Sequence, residues 1–343
     1  MNDVGIWLYK IPKCGYFPWH TQANQGPLFG GVSQTFSALA AWANGKLLGQ
    51  TSTFTPQEGD DRSNVYFLGC APGNHGDFLV AVWNRLPGNQ NDISSVGLND
   101  PVGTASAAKT AIDHTRIPGY ATYFWVMPSE GKIAALRLKR TGLGLANFIL
   151  YVTSFLKYIN PEHVVPDPVG PNGETRVRYR QDATQAVVQG GVRPTFGIKS
   201  IPLQGDVAYL RSNVASISAV ECKTTLSTTE PQQFTWWQTL LDVSRVGRRQ
   251  AAVVLNAPIK IEVPVTFTQQ QLDATIASWE DDIENGKVND LGFVIGGQTT
   301  WLSKAHARTT VPLDVLWIDD ELVNIETLLG QLQVHRAAVL ALG

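Results

Sequence analysis

Apolar and β-branched residues bunch between clusters of Gly, Pro and Asn at several places along the chain, and each such run predicts a strand. Elsewhere apolar positions return every three or four residues and predict helices. Residues 5–11, with Ile6, Trp7, Leu8 and Ile11, form the first predicted strand. A helix over 34–43 follows, its face made by Phe36, Leu39, Ala40 and Ala43, and Asn44 and Gly45 end it. Strands over 64–70 and 78–83, joined by a turn from Pro72 to Gly76, predict a hairpin. A second hairpin is predicted from 120–127 and 132–138 around the turn Pro128 to Gly131. A helix over 145–159 closes at Asn160 and Pro161.

Pro161, Pro166, Pro168 and Pro171 then crowd a short segment that also holds two glycines, the strongest linker signal in the chain. It predicts a division into an N-terminal α+β domain, 1–160, a linker or excursion loop, 161–185, and a C-terminal α+β domain, 186–343. The second part is expected to hold a long strand over 214–226, a helix over 232–246 and a strand over 258–267. A helix over 269–285, capped by Thr268, comes next, followed by strands at 290–295 and 310–318. A long closing helix over 320–340 is predicted from Leu322, Ile325, Leu329, Leu332 and Val339. Together these elements predict an α+β fold of mixed, largely antiparallel sheets with packed helices, in two lobes. No period of 20–50 residues marks a repeat architecture.

With 43% apolar and 16% charged residues, the 343-residue chain has the composition of a globular protein. Its longest apolar run, around Phe148 to Leu156, falls short of the ~20 residues that span a bilayer, and the N-terminus lacks a signal-peptide pattern. A cytoplasmic protein is expected. Cys14, Cys70 and Cys222 are too few and too scattered for a disulfide framework or a paired-cysteine zinc site. The net charge of −2 hides an asymmetry: residues 1–260 carry 23 Lys and Arg against 17 Asp and Glu, and residues 261–343 carry 4 against 12. A basic body attracts nucleic acid, while the acidic end is expected to face solvent or a partner.

Few residues suggest catalysis. Asp206 and the Glu221, Lys223 pair match a set that on adjacent strands could hold a divalent metal and activate water for phosphodiester cleavage, since alternation puts Glu221 and Lys223 on one face. A cross-strand charge pair is the plainer account of the same residues. The six histidines are scattered without metal-ligand spacing. Gly142 and Gly144 precede a helix but lack the third glycine of a dinucleotide loop, Asn147 standing there, and are better read as a helix start. No Walker A sequence is present, and no cofactor is expected. The basic clusters carry more information. Arg137, Lys139 and Arg140 end a predicted strand, Arg176, Arg178 and Arg180 follow the Pro-rich segment, and Arg245, Arg248 and Arg249 end a predicted helix. Alternation would set Arg176, Arg178 and Arg180 on one face of an extended ribbon, with Val177 and Tyr179 opposite, a row able to track phosphates. A structural or interaction protein, its ten tryptophans serving subunit contacts, is the third possibility.

The stretch 117–134, from Ile117 through Trp125 and the Pro128 to Gly131 turn to Ala134, followed by the helix to Ile159, resembles the RexA phage-exclusion proteins of prophages. The strand 214–226 with Glu221, Cys222 and Lys223, the apolar strand bearing Lys260, and the order of the closing elements are similar too. The likeness covers about 120–340, and the first 100 residues match poorly. It implies a non-enzymatic, homodimeric sensor of infection in an abortive-infection system, binding duplex DNA mainly through phosphates and signalling to a membrane effector encoded nearby. It brings no catalytic residues.

Overall fold

The computed structural model describes residues 2–20, 25–56, 63–86, 94–108, 115–138, 144–167, 176–184, 186–187, 191–201, 204–226, 257–284, 290–302 and 307–343. Helices and mostly antiparallel strands combine in an α+β fold, as the hydrophobic pattern predicts. The chain forms two compact units, the first from residues 1–199 and 309–341, the second from 200–308 with 342–343.

The first unit contains β1 (Asn2–Pro18), α1 (Val32–Ala43), β2 (Val65–Pro72), β3 (Phe78–Arg85), β4 (Ser95–Gly97), β5 (Ala107–Ala108), β6 (Arg116–Met127), β7 (Lys132–Arg137), α2 (Leu145–Tyr158), β8 (Val164–Asp167), β9 (Arg176–Tyr179) and β10 (Val192–Ser200). The second contains α3 (Gln204–Ser212), β11 (Ile217–Leu226), β12 (Ala257–Pro264), α4 (Gln269–Glu284), β13 (Asp290–Ile295) and β14 (Gln298–Trp301). The chain then re-enters the first unit through β15 (Arg308–Leu313), α5 (Ile325–Val334) and α6 (Arg336–Leu340).

The main sheet runs β10-β1-β7-β6-β3-β2, with β15 also paired to β1 and β4 to β6. Its middle strands read as unbroken apolar runs because both faces are covered. On one face Val80, Val82, Phe124, Val126 and Ile133 meet α1 and α2, where Phe124 and Phe148 stack with centroids 3.9 Å apart. On the other, Leu79, Ala81, Trp83, Tyr123 and Trp125 are buried, and α5 packs over β2 and β3 with Leu328, Leu329 and Leu332 inward. Gly144 caps α2 in the left-handed conformation (φ 65°), and a Cβ there would lie 2.9 Å from Thr122 Cγ2. The approach of α2 to β6 therefore favours glycine. Asn147 is absorbed by the same contact, donating to Asn84, which donates to Thr122.

Several expectations are corrected. The Pro-rich segment is not the division between the units: β8 and β9 form an antiparallel hairpin in the first unit, with Val164 and Tyr179 in its core. Pro166 lies in β8, and a two-stranded pair has open edges on which a missing N–H is tolerated. The acidic end does not simply face solvent, since residues 309–341 belong to the first unit and Val311, Leu313, Leu322, Leu328, Leu332 and Val339 are buried, although Leu316, Ile318 and Val334 are exposed. The closing helix does not begin at 320. Asp319 accepts backbone N–H groups from Glu321 and Leu322, and the helix starts only where Asn324 caps Thr327 N at 2.9 Å. It breaks again at His335. β15 ends at Leu313 rather than 318, and residues 214–216 are a short 3-10 turn before β11. The Thr268 cap of α4 is present, with Thr268 and Gln271 bonding reciprocally. The helix over 232–246 lies outside the described residues.

Candidate nucleic-acid interface

Where β1 ends, three rings close around Tyr16. Phe29 stacks on it at 4.8 Å, His163 meets it edge-on at 4.9 Å, and Tyr179 tilts against it at 5.3 Å. The Tyr16 hydroxyl donates to the Leu156 carbonyl at 2.7 Å and that of Tyr179 to the Lys157 carbonyl at 3.2 Å, so both phenols pin their strands to the end of α2. Burial pushes both phenols up, Tyr179 to about 12, and they stay neutral.

This hub sets the orientation of β9. Val177 and Tyr179 turn into the core, and alternation leaves Arg178 exposed on the other side, as the sequence predicts. Arg176 heads the strand opposite Asp167. Arg180 behaves differently from the expectation of a ribbon of three: its guanidinium donates to the carbonyls of Pro161, Glu162 and Ala183 at 3.1–3.2 Å and serves the loop. Its own carbonyl accepts from His163 Nδ1–H at 3.2 Å, which makes that imidazole the Nδ1–H tautomer. Burial lowers the His163 pKa, and its Nε2 is enclosed without a hydrogen-bond partner among the described residues, Glu162 standing 3.9 Å away.

Four residues that the sequence did not single out share this end of the unit. Trp19 follows β1 by one residue and donates its backbone N–H to Gly191 O at 2.9 Å; the residue is 66% exposed. Lys157 and Tyr158 end α2, with Lys157 Nζ 4.8 Å from the Tyr158 ring, and Arg193 is exposed at the start of β10. Helical periodicity would turn Tyr158 inward, three residues after Phe155 and seven after Tyr151, so its exposure at the end of the helix escaped the sequence. Nothing in the sequence marks Trp19 as exposed. Glu162, Asp167 and Asp182 are acids of these segments, and Asp182 is engaged by the N–H and hydroxyl of Thr184.

The remaining predicted contacts do not join this face in the described residues. Arg137 ends β7 with its guanidinium 4.8 Å over the Trp7 ring. Lys139, Arg140, Arg245, Arg248 and Arg249 lie outside the described residues.

The alternative metal-binding set is not assembled as predicted. Asp206 belongs to helix α3 and not to a strand beside β11. Glu221 is buried in the middle of the four-stranded sheet, accepting from Thr299 Oγ1 at 3.0 Å, with Glu262 as its register partner on β12. Lys223 pairs in register with Lys260 and Asp290. Among the described residues no three His, Cys, Asp or Glu side chains are grouped to share a metal ion, and no helix is long and apolar enough to cross a membrane. No protein-family model, curated protein or solved structure matches the chain.

Proposed function

We propose that the chain is a non-enzymatic DNA-binding protein that contacts duplex DNA mainly through phosphates, as the sensor of a prophage-type phage-exclusion system. The observation that carries the binding is the face at the end of β1. Arg178 on β9 and Arg193 on β10 are both exposed, on strands whose inward side chains pack in the core. Cations held on rigid strands make phosphate contacts at low entropic cost, and such contacts need no base-specific geometry. The defence role, the homodimer and the membrane effector rest on the resemblance to the RexA proteins.

Fluorescence anisotropy of a labelled duplex at low salt tests the binding. Arg178→Ala and Arg193→Ala are each expected to weaken it on every duplex sequence alike. A duplex that fails to bind at low salt, or binds equally to the double variant, removes the proposal. Incubation of plasmid with the protein and Mg²⁺ or Mn²⁺ addresses the rival enzyme: cleavage lost in Glu221→Ala would establish a nuclease instead.

A further inference from the structure

Trp83, Trp125 and Trp279 are fully buried, and Trp19 is the contrast: a side chain that soluble proteins ordinarily enclose stands two-thirds in solvent. It is not a loose side chain. Its backbone is tied to Gly191, and the indole passes so close over that residue that a Cβ there would lie 3.0 Å from Trp19 Cβ and 3.4 Å from Cγ. Tyr158 is also half exposed, at 52%, on the last turn of α2. The two are linked through the ring hub: Trp19 is three residues from Tyr16, which bonds to Leu156, and Tyr179 bonds to Lys157. Arg178 adjoins Tyr179, Arg193 lies two residues from Gly191, and Lys157 covers one side of the Tyr158 ring. Two exposed aromatic rings and three exposed cations thus sit on segments that the hub joins at one end of the unit.

Aromatic rings interleaved with cations are how proteins hold single strands. Each unpaired base offers a π-face to stack on, and the phosphates between bases meet the cations; in a duplex the π-faces are hidden in the stack. We propose that this face binds unpaired nucleotides, with Trp19 and Tyr158 as the stacking platforms and Arg178, Arg193 and Lys157 as phosphate contacts. This rests on the nucleic-acid reading above and narrows its ligand to DNA with a single-stranded stretch. Because the hub fixes the strands beneath, the platforms are set before binding, and stacking loses little freedom. Stacking tolerates any base, so no sequence preference is expected.

The test compares a labelled thymidine oligonucleotide with a labelled duplex by anisotropy. Trp19→Ala is expected to weaken oligothymidine binding about tenfold or more and to leave duplex affinity unchanged. Trp19→Phe, which keeps a stacking face, should recover most of the loss, and Arg178→Ala should weaken both ligands. Circular dichroism of Trp19→Ala, a change at an exposed position, checks that the fold is retained. Duplex binding that persists with oligothymidine unbound, or with both ligands indifferent to Trp19 and Tyr158, overturns the single-strand inference alone. Failure of the wild-type protein to bind either ligand overturns this inference together with the function it rests on.

Discussion

Arg336 Nε lies 2.9 Å from Asp77 Oδ2, joining residues 259 positions apart in the sequence. Asp77 is fully buried and also accepts from the Trp125 indole at 3.1 Å. The same guanidinium reaches Glu130 at 3.3 Å and Ser129 at 3.1 Å. One arginine at the start of α6 therefore bridges the turns of both central hairpins, 74–77 and 128–130. The hydrogen bonds to Asp77 raise the Arg336 pKa further, so the guanidinium stays charged throughout the working range.

Removing one member strands the other. Arg336→Met leaves the Asp77 carboxylate buried with the Trp125 indole still donating to it, and is expected to cost about 3 kcal/mol, at the low end for a broken buried pair. Urea denaturation measures it. Asp77→Asn with Arg336→Met together should cost less than the two single losses added.

Acid should weaken the ring hub. The folded state lowers the His163 pKa through burial, so the unfolded chain takes up that proton first. Stability from this group is complete above the unfolded value of about 6.5 and is lost as pH falls from there through the lower folded value. Thermal midpoints followed down through that window should drop for the wild type, and drop less for His163→Gln.

Thiol chemistry should be silent in the folded state. Burial pushes Cys14 up to about 12, partly offset by its bond to Thr35, and Cys70 up to about 12 as well. At pH 8 only about one thiol in ten thousand is then thiolate, and Cys222 is buried too. Ellman's reagent should react with these three cysteines only upon unfolding. As denaturant rises, Cys70, half-buried and lining a cleft of about 510 Å³ beside Val102, Tyr123 and Ile325, should be the first of them to become reactive.

The two neighbouring arginines of the candidate face should separate by kind of effect. Arg180→Ala removes three bonds to backbone carbonyls and is expected to lower thermal stability. Arg178→Ala, at an exposed position, should leave stability within about 0.5 kcal/mol while weakening DNA.

The local structure was legible where turn chemistry and periodicity agree. Pro128 to Gly131 and Pro72 to Gly76 join hairpins β6–β7 and β2–β3, and α1 and α2 lie within two residues of their predicted bounds. What escaped is long-range. β15 pairs with β1 across almost the whole chain, and no local pattern announces such a partner. For the same reason the Pro-rich segment looked like a boundary and proved to be a packed hairpin, Tyr179 being held by Tyr16. At the candidate face, alternation correctly turned Arg178 outward. It could not foresee that Arg180 would fold back onto the carbonyls of Pro161 and Glu162, or that Trp19 would remain in solvent over Gly191.

The most direct test of the central claim is the salt dependence of DNA affinity. If Arg178 and Arg193 meet phosphates, the logarithm of the binding constant should fall linearly with the logarithm of salt concentration. Each alanine substitution should then make that slope shallower by about 1. A salt-independent affinity, or a slope that neither substitution changes, would contradict the account.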